Sequence, residues 1–258
     1  MTKSIHEIFE QIKEDSEKDP NILGLILGGS RGKGFSKVYS DYDFLVVVKE
    51  DVKQEYREKF EKYDGIKGID CGVKTISEFE AYAEIGSEFE WDRYNFAHVQ
   101  ALIDETNGEL QKIIDEKGRI PEKIWKEYTA GYLDGYINSV YRSLKCLRDN
   151  YLVGYRLEAA SSIGLFLTCA FAFHNRRLNP YYKYLEIELE NFPLDKFPWS
   201  SKEIIEMLLE ILETGDYKIQ QILLKEMEKL ARKDGLGHVF DSWDGDEKWT
   251  MSFKPEKE

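Results

Sequence analysis

The apolar run Ile22 to Leu27 stops on Gly28-Gly29-Ser30, and a second run, Tyr42 to Val48, is entered through Ser40-Asp41-Tyr42-Asp43. Both runs have the length of a buried strand, and the second is rich in β-branched and aromatic residues, so Gly28 to Gly34 reads as a turn that follows a strand. Side chains alternate along a strand, which puts Asp41 and Asp43 on one face. Two carboxylates there make a hard oxygen site suited to Mg²⁺, an ion that takes carboxylates together with substrate phosphates. A Gly-rich turn lets backbone N–H groups approach phosphate oxygens, and a helix starting there adds its positive end. The hydroxyl of Ser30 is a further donor for terminal phosphates. A Walker-type phosphate loop is excluded, because the Lys-Ser/Thr pair that closes its pattern is missing.

The surrounding pattern alternates helix and strand. Ser4-x-x-Glu7 has the form of a capping box and precedes Ile5, Ile8, Phe9 and Ile12 at helical spacing, ending near Asp19-Pro20. A charged helical stretch near residues 54–62 leads to a third strand over 66–76, a fourth over 98–103 and a helix over 108–117. Gly118 to Pro121 reads as a boundary. Beyond it Ile124, Tyr128, Leu133, Ile137, Val140 and Leu144 keep a period near 3.6. Further helices are expected over 155–175, from Ser200 to Leu212 with a stop at Gly215, and over 218–234 with Gly235 as C-cap. Asn179-Pro180 opens an aromatic loop, Tyr181-Tyr182-Lys183-Tyr184. The expectation is an α/β (α+β) N-terminal domain, residues 1–118, with a small mixed sheet flanked by helices, followed by a C-terminal helical bundle domain, residues 119–258.

Charge narrows the partners. The 258 residues carry a formal net charge of −13, and an acidic surface disfavours a long nucleic acid, whose binding needs a basic one. An acidic cleft attracts a small cationic substrate. The three cysteines, Cys71, Cys146 and Cys169, are scattered without paired metal-ligand spacing, which fits a reduced, cytoplasmic protein. No secretory signal is visible at Met1-Thr2-Lys3-Ser4, and the apolar run from Ile163 to Phe173 is short of the roughly 20 residues of a membrane span. His6, His98, His174 and His238 have no metal-site spacing.

Gly29-Ser30 followed by Asp41-Tyr42-Asp43 within a strand resembles the DNA polymerase β nucleotidyltransferase superfamily, whose signature is a Gly-Ser turn, a short spacer and Asp-hydrophobic-Asp. The resemblance implies a third carboxylate on a neighbouring strand. Asp70, in Gly68-Ile69-Asp70-Cys71-Gly72, is the best match and would share a face with Gly68, Gly72 and Lys74; Asp104 is the runner-up. Two Mg²⁺ ions on Asp41, Asp43 and Asp70 would activate the attacking oxygen and stabilise the leaving pyrophosphate. Gly29, Ser30 and Arg31 would hold ATP or another nucleoside triphosphate. Lys74 is either a phosphate contact or a solvated strand residue.

The helical half resembles aminoglycoside and lincosamide nucleotidyltransferases, on residues 136–144, Arg156-Leu157-Glu158 and Asn179-Pro180-Tyr181-Tyr182-Lys183-Tyr184-Leu185. That branch implies a carboxylate of the helical domain as general base, for which Glu158 is the candidate and Asp134 the next choice. Lys183 would bind the triphosphate, or else belong to an aromatic packing loop, and Arg142 and Arg156 are either phosphate contacts or ion-pair partners. The expected activity is Mg²⁺-dependent transfer of AMP from ATP to a hydroxyl of a small molecule, an aminoglycoside- or lincosamide-type antibiotic among the candidates, bound between the two domains. Two alternatives stand beside it: an antitoxin-like nucleotidyltransferase acting on a protein partner, and a catalytically silent nucleotide-binding module.

Overall fold

The computed structural model describes residues 4–63 and 65–255. The chain divides into two compact units, Met1–Ile120 and Pro121–Glu258.

In the first unit, α1 (Ile5–Glu17) begins at a reciprocal capping box: the Ser4 hydroxyl accepts from the Glu7 amide, and the Glu7 carboxylate accepts from the Ser4 amide at 2.7 Å. After β1 (Ile22–Leu27) comes a single helical turn, α2 (Gly29–Gly32), then β2 (Tyr42–Val48). Helix α3 (Lys53–Glu61) carries the chain to β3 (Ile69–Lys74), α4 (Ile76–Ala81) follows, then a 3-10 segment over Glu90–Phe96, β4 (Ala101–Asp104) and α5 (Glu109–Lys117). The strands lie in the order β3-β2-β1-β4. Strand β1 is antiparallel to both β2 and β4, while β2 and β3 run parallel. A parallel pair needs a crossover, and α3 provides it.

Alternation along β2 gives the sheet two cores. Tyr42, Phe44, Val46 and Val48 pack with Phe9 and Ile12 of α1 and Tyr56 and Phe60 of α3. Leu45 and Val47 point the other way, to Phe79, Phe96, Leu110 and Ile114. Asp43 continues the Leu45–Val47 side, and Asp41 lies just ahead of the strand. The Asp43 carboxylate therefore lies at the end of a face that is otherwise core.

Two strands are shorter than the apolar pattern predicts. Gly68 has φ +88°, and Thr75 opens a second reciprocal capping box with Glu78 that starts α4, so the third strand is confined to 69–74. His98 has φ +62°, which delays the fourth strand to Ala101. The stretch from 77 to 97, given no element by the sequence pattern, is helical or 3-10 in part. Three buried cations hold its carbonyls. Lys33 Nζ donates to the carbonyls of Tyr94, Asn95 and Ala97 at 2.5, 2.9 and 2.8 Å. Lys117 reaches those of Glu80 and Tyr82, and Arg93 reaches Ala83, Glu116 and Arg119.

The second unit is helical: α6 (Trp125–Arg148), α7 (Leu152–Phe173), α8 (Leu185–Asn191), α9 (Ser201–Thr214), α10 (Tyr217–Lys233), and the short α11 (Gly237–Asp241) and α12 (Asp246–Ser252). Asn150, at φ +59°, turns the chain between α6 and α7. Helix α7 ends at Phe173, before the Asn179-Pro180 break, because Asn175 and Arg176 both take positive φ. The aromatic loop is a 3-10 turn over Tyr182–Tyr184 that runs into α8. Gly215, at φ +74°, ends α9, as its sequence position predicts. By length and composition α7 could cross a membrane, yet every residue from Phe166 to Phe173 is buried in this unit's core with Leu133, Ile137, Leu208 and Leu224.

Candidate active site

The turn after β1 is pressed against β2. The Gly28 amide donates to the Asp43 carbonyl at 2.8 Å, continuing the antiparallel ladder past Leu27 and Phe44. Gly29 has φ +55°, and a Cβ on it would lie 3.0 Å from Asp43 Cγ and nearer still to Oδ2. Only glycine fits there on both counts. Ser30 is buried, and its carbonyl accepts from the Phe35 amide at 2.8 Å, closing the turn.

Arg31 acts on this geometry from within the turn. Its Nε and Nη2 donate to the Ser40 carbonyl at 3.2 and 2.8 Å, Nε also reaches the Asp41 carbonyl at 3.1 Å, and the guanidinium lies 4.0 Å from the Tyr42 ring centroid. Arg31 thus ties the turn to the entry of β2. The backbone leading to Asp41 is held by the residue that the sequence reading assigns to the nucleotide.

In the parallel β2–β3 pair, Asp43 is the register partner of Asp70. Neighbouring strands are about 4.8 Å apart, so the two side chains rise side by side from one face. They line a cavity of about 280 Å³ together with Gly28, Gly29, Gly72 and Lys74. Asp41 is exposed, just ahead of the strand, and its Oδ1 would be 3.3 Å from a Cβ on Gly68. Asp41 and Ser30 adjoin the cavity in sequence but are not among its lining. Among the described residues, no three His, Cys, Asp or Glu side chains converge as a metal-binding group. The donors that do converge, Asp43 and Asp70, suit Mg²⁺ with the rest of its shell taken from phosphate oxygens and water.

Comparison of the sequence with known families gives a match over this region. Residues 5–126 match the nucleotidyltransferase domain family. No curated protein matches the chain in sequence. A solved structure described as a nucleotidyltransferase-like protein from Exiguobacterium sibiricum 255-15 superposes with a TM-score of 0.40 at 10% identity, over 96% of this chain and 78% of that one. A similarity that loose adds nothing to the reading of the site.

Within the matched region, Lys74 is the cation of the cavity lining. It is half-buried, with Nζ 4.0 Å from the Tyr82 ring centroid. Burial pushes its ammonium below the ordinary value; Arg57 and Lys53 push the same way and Glu78 opposes them. Asp104 has another task. It accepts from the Thr106 hydroxyl and amide at 2.5 and 2.9 Å and from the Gln111 amide at 3.2 Å, organising the turn into α5.

In the helical unit, Glu158 pairs with Arg142 at 2.9 Å, linking α7 to α6. Asp134 accepts from Trp243 Nε1 at 3.0 Å, and Arg156 donates to the Leu212 carbonyl at 3.3 Å. Lys183 is exposed, its Nζ 4.7 Å from the Tyr184 ring centroid. The sequence reading missed the part of the cavity built by Tyr82, Trp91, Asp92 and Asn95. The spacing of Asp92 and Asn95 carries no motif, and their meeting depends on the 3-10 turn.

Proposed function

We propose that this protein transfers a nucleoside monophosphate, AMP from ATP, to a hydroxyl of a small molecule. The observation that carries the reading is the Asp43–Asp70 register pair beside the Gly28-Gly29 turn, in a domain of the nucleotidyltransferase family. Backbone N–H groups of the turn and the Ser30 hydroxyl grip the triphosphate, and Lys74 supplies positive charge to it. Asp41, Asp43 and Asp70 would hold Mg²⁺, which when bound neutralises phosphate charge and favours departure of pyrophosphate. The acceptor oxygen attacks the α-phosphorus in line. The bond to the β-phosphate bridging oxygen breaks, and pyrophosphate leaves with its electron pair. Glu158, oriented by Arg142, is the proposed recipient of the hydroxyl proton.

The acceptor is a cationic molecule of the aminoglycoside or lincosamide kind. Support comes from the net charge of −13, which draws cations, and from the sequence resemblance of the helical half. The test is incubation with labelled ATP, Mg²⁺ and a panel of such compounds, following pyrophosphate release. Release that needs one acceptor and disappears in Asp43→Asn is expected. Undiminished release in that variant overturns the assignment.

A further inference from the structure

Tyr82, Trp91, Asp92 and Asn95 line the same cavity as Asp43 and Asp70, and the proposed transfer step gives them no task. Trp91 is 64% exposed, an unusual position for the largest apolar side chain. Next to it, Asp92 is fixed by two donors: Oδ2 accepts from the Tyr82 hydroxyl at 2.8 Å, and Oδ1 accepts from the Asn95 side-chain amide. The backbone under them is fixed as well, since Lys33 Nζ binds the Asn95 carbonyl at 2.9 Å. The result is a flat aromatic surface beside an immobilised carboxylate.

We propose that this wall reads the nucleobase: Trp91 stacks on its face, and Asp92 accepts a hydrogen bond from an exocyclic amino group. The inference rests on the reading that the cavity holds a nucleoside triphosphate. With the phosphates at Gly28-Gly29 and the carboxylates, the rest of the nucleotide lies along the same cavity of about 280 Å³, of which this wall is a part. An ionised carboxylate only accepts. An amino group facing Asp92 gains a charge-assisted hydrogen bond, whereas a keto oxygen in its place sets acceptor against acceptor. The site therefore selects bases bearing an amino group over bases bearing only keto groups.

The test is equilibrium titration of the full chain, in Mg²⁺ buffer without acceptor, with ATP and with ITP, which carries a keto oxygen where ATP carries the amino group. The wild type is expected to bind ATP about tenfold or more tightly than ITP. Trp91→Ala should weaken both nucleotides alike by about tenfold, Trp91→Phe should recover most of the loss, and Asp92→Asn should erase the preference for ATP. Nucleotide binding that is lost in Gly29→Val but unchanged in Trp91→Ala and Asp92→Asn overturns the base-reading wall and leaves the transferase reading standing. A Trp91→Ala defect seen only in acceptor affinity overturns it equally. Failure of the wild type to bind either nucleotide overturns the transferase reading beneath it.

Discussion

Asp43 and Asp70 face each other across the parallel β2–β3 ladder, two like charges in register over one cavity. Like charges directly opposite on a sheet destabilise it, so the pair is held together at some cost to folding. If Asp70 holds the metal as proposed, Asp70→Asn is expected to leave the melting temperature unchanged or raised while turnover falls by about a hundredfold or more, beyond the roughly 10–100-fold lost when a ligand's supporting partner is removed. Thermal melts and pyrophosphate release on the same preparation check both halves. A variant that loses stability and activity together would mark Asp70 as structural.

Gly29 permits no side chain. At φ +55° a non-glycine residue costs about 1–2 kcal/mol in backbone strain, before its Cβ meets the Asp43 carboxylate. Gly29→Ala is expected to lower stability by at least that amount and to displace Asp43. Gly29→Val should abolish nucleotide binding. Chemical denaturation measures the first effect and titration with ATP the second.

Lys117 gives stability a pH dependence. It is 3% exposed, and burial, reinforced by Arg93, pushes its ammonium down to about 8 from 10.5. Between those values the unfolded chain binds the proton that the folded chain has released, so stability rises with pH across the window and is lost as pH falls through about 8. Lys117→Met should flatten that rise. Melting temperatures of both proteins from pH 7 to pH 10.5 test it.

Glu158→Ala should slow the single-turnover chemical step by about 10²–10⁴, the usual worth of a general base, with nucleotide affinity intact. Arg142→Ala, which frees the Glu158 carboxylate from its 2.9 Å partner, should give a smaller defect in the same step. Rapid-quench measurement separates chemistry from binding. A normal single-turnover rate in Glu158→Ala removes it from the mechanism.

What could be read from the sequence was local. The capping boxes at Ser4 and Ser200, the stop at Gly215 and the apolar runs of β1 and β2 are each specified by residues a few positions apart, and each forms where expected. The shared face of Asp70, Gly72 and Lys74 followed from strand alternation once β3 was recognised. What the sequence reading left out has more than one cause. Arg31 also ties the Ser40 and Asp41 carbonyls, a structural task its place beside Ser30 does not announce. Lys33 meets Tyr94 across 61 residues, and no periodicity records that bond. Thr75 and Glu78 form a capping box as plain as the one at Ser4, and they mark where β3 had to stop.

Lys33, Lys117 and Arg93 grip main-chain carbonyls between Glu80 and Ala97. Because the anchors bind backbone, they do not depend on the side chains at Trp91, Asp92 and Asn95. Trp91, Asp92 and Asn95 can thus be exchanged for others without releasing the ribbon that presents them, while Tyr82 stays packed on Phe96 and Asp43 and Asp70 stay on their strands. Under the proposed reading the scaffold would separate a replaceable reader from a permanent reactor, and a library varied at Trp91, Asp92 and Asn95 alone should yield folded proteins with altered ligand choice.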